Sequence, residues 1–168
     1  MKPPIMIMGI MASGKSRIGE RVAASRGGHF IECDDWHPKE NVEKLAAGIP
    51  LTDEDRAPWL NRLAAEVGAA REAGPQTVFS CSALKLVYRE RLRARLPGLT
   101  TICLTLDAAT AAQRAGGRTE HFMPTALVES QLATLELPEN EPRTAIVDAT
   151  QSFERVLEDV ESALKELE

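Results

Sequence analysis

The chain has 168 residues, of which 27% are charged and 43% hydrophobic, a usage typical of one globular domain with a well-buried core. Its formal net charge of −5 excludes a general attraction to nucleic acid or to an anionic membrane surface. We therefore expect a single domain over residues 1–168, no nucleic-acid partner, and locally placed Lys and Arg wherever an anion binds.

The N-terminal segment and the cysteines indicate the compartment. Residues 1–11 are apolar but are interrupted by two prolines and a glycine, and neither they nor any later stretch is long enough to span a bilayer. The three cysteines lie in or beside apolar runs and lack CxxC spacing: Cys33, Cys81 and Cys103. This pattern predicts buried thiols in a reducing compartment, and hence a cytoplasmic protein without a membrane partner.

Short apolar runs of strand length alternate with segments of helical periodicity along the chain. The predicted strands are 4–9, 29–33, 77–82, 100–106 and 144–149, and the predicted helices are 16–26, 55–73, 86–96, 125–135 and 153–167. This alternation predicts βαβ units around a buried parallel sheet. Two irregular stretches, 34–54 and 114–124, fit neither pattern, and such segments are usually where function resides.

The turn after the first predicted strand carries a phosphate-binding motif. Residues 9–16 read GIMASGKS and match GxxxxGK[ST] between a strand and a helix. Gly9 and Gly14 allow backbone N–H groups to surround phosphate oxygens, Lys15 reaches the β- and γ-phosphates, and the Ser16 hydroxyl ligates Mg²⁺. The alternative, a glycine-rich turn that binds nothing, is disfavoured by this context. The sequence therefore predicts a site for a nucleoside triphosphate with Mg²⁺.

Carboxylates follow the second predicted strand. The third strand ends in Ser82, so the usual Walker B position has no acid, whereas Glu32, Asp34 and Asp35 follow the second strand. The carboxyl ends of parallel strands meet at one edge, so these acids are expected to face the P-loop, as in a kinase. The alternative is a solvated acidic turn that caps the next helix.

The second irregular stretch has the composition of a mobile lid. Arg114 and Arg118 are one helical turn apart and flank Gly116 and Gly117. We expect the lid to span 114–124 and its arginines to reach the triphosphate on closure, with Arg118 on the transferring phosphoryl group. A flexible surface loop is the alternative.

Three long motifs resemble the gluconokinase family of small P-loop kinases, which is related to shikimate and adenylate kinases. They are DDWHPKENVEKLAAGIPLTDEDRAPWL (34–60), CSALKLVYRERLR (81–93) and RTEHFMPTALVESQLATLELP (118–138). The resemblance implies a three-layer α/β/α P-loop kinase fold with a five-stranded parallel sheet and a mobile lid. It also implies ATP-dependent phosphorylation of D-gluconate at the 6-hydroxyl to 6-phospho-D-gluconate, with a homodimer as an option.

The resemblance also implies a set of site residues. Asp34 corresponds to the acid of the acceptor-binding segment 34–60 and is expected to orient and deprotonate the 6-hydroxyl, while Glu32 joins Ser16 at Mg²⁺. Gluconate is a polyol with one carboxylate, so it needs hydrogen-bond partners and a cation. The residues expected to contact it are Asp34, His37, Arg56, Lys85, Tyr88, Arg89, His121 and Gln131. The residues expected to contact ATP are Gly9, Ala12, Ser13, Gly14, Lys15, Ser16, Arg114 and Arg118, and the catalytic ones are Lys15, Asp34 and Arg118.

Departures from the family pattern are few, and two other functions stay open. Ile10, Met11 and Ala12 stand where the family has V-S-G. If position 12 needs a positive φ, alanine there costs about 1 kcal/mol. Trp59 is expected in the core rather than at a ligand. The alternatives are a shikimate or other small-polyol kinase, and a nucleotide-binding regulatory module without catalysis.

Overall fold

A parallel five-stranded sheet forms the centre of the protein. The computed structural model describes residues 1–116 and 125–168. The strands follow the order β2-β3-β1-β4-β5, and every pairing is parallel. They are β1 (Ile5–Gly9), β2 (His29–Glu32), β3 (Thr77–Ser80), β4 (Thr100–Thr105) and β5 (Thr144–Asp148). The predicted parallel sheet is confirmed, and the carboxyl ends of its strands share one edge.

Helices cover both faces of this sheet and complete the three predicted layers. In the described ranges they are α1 (Lys15–Ser25), α2 (Lys39–Ala46), α3 (Asp53–Glu72), α4 (Leu86–Arg95), α5 (Ala108–Gly116), α6 (Thr125–Thr134) and α7 (Phe153–Leu167), with a 3₁₀ turn at Cys33–Trp36. Helices α1 and α7 pack on one face, and α3 and α4 pack on the other.

Strand β1 shows why the sequence forms this sandwich. Ile5 and Ile7 point toward α1 and α7, whereas Met6 and Met8 point toward α3 and α4. All four side chains are buried. A central parallel strand is buried on both faces, so it reads as a continuous apolar run rather than an alternating one.

The structure adds two helices that the apolar pattern did not predict. The stretch 34–54 contains the 3₁₀ turn and α2, whose Val42 and Leu45 are exposed, so α2 has no buried apolar face. Helix α5 is rich in alanine, which favours helix, but its nine residues are too few to establish a helical period in the sequence. Helix α3 begins before residue 55 because Thr52 and Asp55 form a reciprocal capping box.

The three cysteines are unpaired and buried, as predicted. Burial raises the pKa of the Cys103 thiol to about 12. Within the described ranges, no helix combines the length and hydropathy needed to cross a membrane.

A buried arginine joins the segment after β3 to the segment after α6. Arg89 on α4 is 0% exposed, and its guanidinium forms a two-pronged ion pair with Glu141 at 2.6 to 3.1 Å. It also donates to the backbone oxygens of Ala83, Leu84 and Glu136 at 2.7, 3.1 and 2.8 Å. All five of its N–H donors are therefore used inside the protein.

We expect Glu141→Ala to lower the free energy of unfolding by about 3–5 kcal/mol, because it leaves the Arg89 guanidinium buried without its counter-charge. Urea unfolding followed by circular dichroism measures the change. Glu139→Ala removes an exposed carboxylate nearby and should alter stability by no more than about 0.5 kcal/mol. An equal decrease in the free energy of unfolding in both variants would contradict a stabilising role for the ion pair between Arg89 and Glu141.

The same pair makes stability depend on pH. Burial alone would raise the pKa of Glu141, but hydrogen bonds from Arg89 and Arg93 outweigh burial and hold the pKa below its ordinary value of 4.5. The stabilisation is therefore complete above pH 4.5 and is lost as pH falls through the folded-state pKa. As the pH falls below 4.5, the free energy of unfolding of the wild type should decrease more steeply than that of Glu141→Ala.

Candidate active site

The P-loop connects β1 to α1, and its backbone requires glycine at both ends. Gly9 has a φ of +155°, and a Cβ there would lie 2.7 Å from Ser13 Oγ and 2.8 Å from the Leu104 carbonyl oxygen. Gly14 is the N-cap of α1, with a φ of +86°. The tight loop forms because neither residue carries a side chain.

The P-loop presents donors that suit a polyphosphate. The first N–H groups of α1 have no intrahelical partner, and its N-cap residue, Gly14, has no side chain to cap them. Within the described part of the chain, the buried Ser13 hydroxyl has no hydrogen-bond partner. Lys15 Nζ lies 3.4 Å from the Ile10 carbonyl oxygen, inside the same loop. Ala12 has a φ of +63°, so its cost of about 1 kcal/mol applies.

An acid reaches the P-loop from β2. Glu32 accepts one hydrogen bond from the Ser16 hydroxyl through Oε2 and another from the Ser80 hydroxyl through Oε1 at 2.5 Å. Hydroxyl and carboxylate oxygens are the ligands that Mg²⁺ prefers, so Ser16 and Glu32 fit this ion. Glu32 thus brings a carboxylate to the P-loop from β2, whereas β3 ends in Ser80.

Asp34 lies beside this carboxylate. The ligand atoms of Glu32, Cys33 and Asp34 are all within 4.8 Å of one another. The Asp34 side chain is 76% exposed, and its Oδ1 lies 3.9 Å from His37 Nε2. Among the residues that the structure describes, Asp35 takes no part in this group. The exposed Asp34 carboxylate, next to Glu32, is therefore available to a second substrate.

Trp59 on α3 supports the turn that carries Asp34. Its indole Nε1 donates to the Cys33 carbonyl oxygen at 2.9 Å, and its side chain is buried, as expected for a core residue. The His37 ring stacks on it, with centroids 4.1 Å apart. Burial lowers the pKa of His37; the charge of Asp34 opposes this, and that of Arg56 adds to it. His37 is therefore held as neutral imidazole near pH 7, a hydrogen-bonding group without charge.

Lys85 and Tyr88 meet Asp53 at the start of α3. Lys85 Nζ lies 3.0 Å from Asp53 Oδ1, and the Tyr88 hydroxyl donates to the same oxygen. The Tyr88 bond, and then the Lys85 bond, lower the pKa of the Asp53 carboxyl. The positive charge of Lys85 is therefore already paired.

Arg56 is another cation of this region, and its contacts differ from those of Lys85. Its guanidinium lies 5.4 Å from the centre of the Tyr88 ring, and its buried Nε has no hydrogen-bond partner in the described ranges. Within the described ranges Arg56 forms no ion pair with Asp53, whose carboxylate is bonded to Lys85 and Tyr88. An arginine with a buried unused donor is suited to an anionic ligand.

Of the residues expected at the acceptor, one is fully committed to other partners and another also contacts the P-loop. Arg89 has committed every donor to Glu141 and to backbone oxygens, so we no longer propose it as an acceptor contact. Its neighbour Lys85, one helical turn away, keeps its head group at the surface. Gln131 on α6 accepts a hydrogen bond from the Met11 N–H at 2.7 Å, which places it on the P-loop.

A cavity of about 420 Å³ opens on the far side of the P-loop, between α5 and the start of α7. Arg17 lies 3.8 Å over the Phe153 ring at its rim, and Arg114 donates to the Gln151 carbonyl oxygen at 3.2 Å. Its position beside the phosphate loop and its partly apolar wall suit the nucleoside part of a nucleotide. Sequence reasoning missed Arg17, Gln151 and Phe153, because no motif marks them.

Part of the predicted site lies outside the described residues. Arg118 and His121 fall in 117–124, as does most of the predicted lid. Arg114 is the predicted lid residue that the structure does describe, near the end of α5.

Comparison with known proteins places this arrangement in a family. No protein-family model matches the chain. The "Thermosensitive gluconokinase" of Escherichia coli K12 is 38% identical over 160 residues, which cover 95% of this chain and 86% of that protein. The gluconokinase of Gluconobacter oxydans is also 38% identical, with coverages of 93% and 88%.

Solved structures agree with these relatives. A crystal structure of a gluconokinase from Sinorhizobium meliloti superposes with a TM-score of 0.90 at 42% identity, covering 98% of this chain and 93% of that one. The APS kinase CysC of Mycobacterium tuberculosis shares the fold, with a TM-score of 0.67, 16% identity and coverages of 98% and 98%. The P-loop, the acid from β2 and these matches together show that the chain belongs to the gluconokinase family.

Proposed function

We propose that this protein transfers the γ-phosphoryl group of ATP to the 6-hydroxyl of D-gluconate, giving ADP and 6-phospho-D-gluconate. The observation that carries the proposal is the position of Asp34. Its carboxylate lies within 4.8 Å of Glu32, which is hydrogen-bonded to the P-loop residue Ser16. Family membership supplies the substrate class.

The P-loop would hold the triphosphate, and the cavity beside Phe153 would hold the nucleoside. Lys15 and the uncapped N–H groups of α1 offset negative charge on the β- and γ-phosphates. Mg²⁺ would be held by Ser16 and Glu32, where it neutralises phosphate charge. We also propose that Arg114 and Arg118 contact the phosphates from a lid over 114–124.

Asp34 acts on the acceptor. It accepts a hydrogen bond from the 6-hydroxyl and orients that oxygen toward the γ-phosphorus. The new O–P bond forms as the bond from the γ-phosphorus to the β–γ bridging oxygen breaks, and the hydroxyl proton passes to Asp34. Because the transition state of phosphoryl transfer is loose, Asp34 contributes by orienting the hydroxyl as well as by accepting its proton.

Arg56 is proposed to bind the gluconate carboxylate. Lys85 is already paired with Asp53 at 3.0 Å, whereas Arg56 has a buried donor without a partner in the described ranges. Neutral His37 and the Tyr88 hydroxyl are suited to the hydroxyl groups of the chain. His121 and the amide nitrogen of Gln131 remain proposed acceptor contacts.

We further propose that residues 1–168 act as one catalytic domain in the cytoplasm, where ATP is present and free thiols persist. A homodimer is compatible with this activity. A shikimate or other polyol kinase, or a regulatory module without catalysis, is the competing function. An exposed acid beside the P-loop disfavours the regulatory module.

The purified protein with ATP and Mg²⁺ should release ADP with D-gluconate, and not with shikimate, glycerate, AMP or water alone. Lys15→Ala should abolish this release while circular dichroism stays unchanged, because the backbone alone cannot offset the phosphate charge. Preference for shikimate would select the competing kinase. ADP release without any acceptor, or no ADP release with D-gluconate, would contradict the proposal.

Asp34→Asn should lower kcat by about a hundredfold or more, because it keeps the shape but loses the charge and the proton acceptor. The dissociation constant of ATP should scarcely change. The matched control is Asp35→Asn, which alters a neighbouring exposed carboxylate outside the group. Steady-state kinetics distinguish them, and a larger loss in Asp35→Asn would overturn the assignment of the base.

Arg56→Gln should raise the KM for gluconate about ten- to a hundredfold, because a charge-assisted hydrogen bond to the carboxylate contributes about 1.5–3 kcal/mol. The KM for ATP should be unaffected. Arg71→Gln at the other end of α3 serves as the control and should leave both constants unchanged. If Lys85→Gln raises the gluconate KM and Arg56→Gln does not, Lys85 holds the carboxylate instead.

A further inference from the structure

Glu32, the acid that contacts the P-loop, accepts a hydrogen bond from a buried serine on β3. Ser80 is 0% exposed, and in the sheet it lies beside Glu32 of β2 on one side and Ile7 of β1 on the other. The Glu32 side chain extends along this edge to the P-loop, where the Ser16 hydroxyl meets it. Ser80 therefore bonds the same carboxylate that reaches the P-loop hydroxyl.

The two oxygens of Glu32 are held by two different hydroxyl groups. Oε1 accepts from Ser80 at 2.5 Å, and Oε2 accepts from Ser16. The last torsion of a glutamate is broad when nothing restrains it. With Oε1 anchored by the sheet, Oε2 keeps facing the P-loop hydroxyl, so a cation bound there meets an oriented carboxylate.

Burial alone does not account for the Ser80 hydrogen bond. In the described part of the chain, the buried hydroxyls of Thr77 on β3 and Thr101 on β4 have no hydrogen-bond partner. This sheet therefore contains buried hydroxyl groups that are left unpaired. The Ser80 hydroxyl differs from them because it donates to a charged acceptor, and such bonds are about twice as strong as neutral ones.

We propose that Ser80 is a positioning residue for the divalent cation that accompanies ATP, acting through Glu32. It touches neither substrate; it orients the carboxylate that replaces the missing acid of β3. The inference rests on the proposed metal–nucleotide site and is independent of the identity of the acceptor.

Mn²⁺ binding to the full-length protein with ADP, measured by electron paramagnetic resonance without any acceptor, tests the role directly. Ser80→Ala should weaken Mn²⁺ binding about ten- to a hundredfold, as loss of outer partners of metal ligands does. The affinity for ADP without metal should be unchanged. Thr77→Val is the matched control, because it removes from the same strand a buried hydroxyl that has no hydrogen-bond partner in the described ranges. Wild-type Mn²⁺ affinity in Ser80→Ala, or an equal loss in Thr77→Val, would overturn the proposal.

A double-mutant cycle separates positioning from a general effect on the fold. In the Glu32→Gln background, Ser80→Ala should cause little further loss of Mn²⁺ affinity, because the group it orients is already altered. Ser80→Thr retains the hydroxyl and should recover most of the affinity. Additive losses of Mn²⁺ affinity, or a Ser80→Thr variant that binds Mn²⁺ no more tightly than Ser80→Ala, would contradict a role through Glu32. Because no acceptor is present, these outcomes do not depend on whether gluconate is the substrate.

Discussion

The Glu32 carboxylate is the contact on which the active site depends, because it connects three elements that are distant in sequence. It belongs to β2, its Oε1 is bonded to Ser80 on β3, and its Oε2 is bonded to Ser16 at the start of α1. Parallel strands bring their carboxyl ends to one edge, so an acid on β2 can reach the P-loop that follows β1. A carboxylate therefore lies beside the phosphate-binding loop although β3 ends without an acid.

The proposed acceptor side lies on α3, α4 and the turn after β2 rather than on the sheet. Trp59 supports the turn of Asp34 through the Cys33 carbonyl oxygen and stacks with His37. On the other side, the ion pair of Arg89 with Glu141 joins the segment that precedes α4 to the segment that follows α6. These buried contacts hold the turn that carries Asp34 and the segment before α4 in fixed positions. Phosphoryl transfer requires such preorganisation of the groups around the acceptor.

Local charge, and not net charge, makes this acidic chain suitable for anionic substrates. The formal charge of the whole is −5, yet Lys15, Arg17 and Arg114 lie around the P-loop and its cavity. On the proposed acceptor side, Arg56 has a buried donor without a partner in the described ranges, while Lys85 is paired with Asp53. Cations concentrated in one cleft raise the local affinity for phosphate and carboxylate without attracting polyanions elsewhere.

The sequence by itself determined the sheet, the P-loop and the family, because these depend on local chemistry. A strand buried on both faces needs an apolar run, and the tight turn at Gly9 and Gly14 needs residues without side chains. The helices α2 and α5 were missed because they are only eight and nine residues long, shorter than the stretch over which a helical period of apolar residues can be recognised.

Only the tertiary structure decided which polar residues serve the site. Lys85 and Arg89 are one helical turn apart and indistinguishable by spacing, yet Lys85 reaches the surface and Arg89 is buried against Glu141, 52 positions away. The pairing of Ser80 with Glu32 likewise crosses 48 positions. Burial and partnership depend on how distant segments pack against each other, and a local pattern of residues carries no record of that packing.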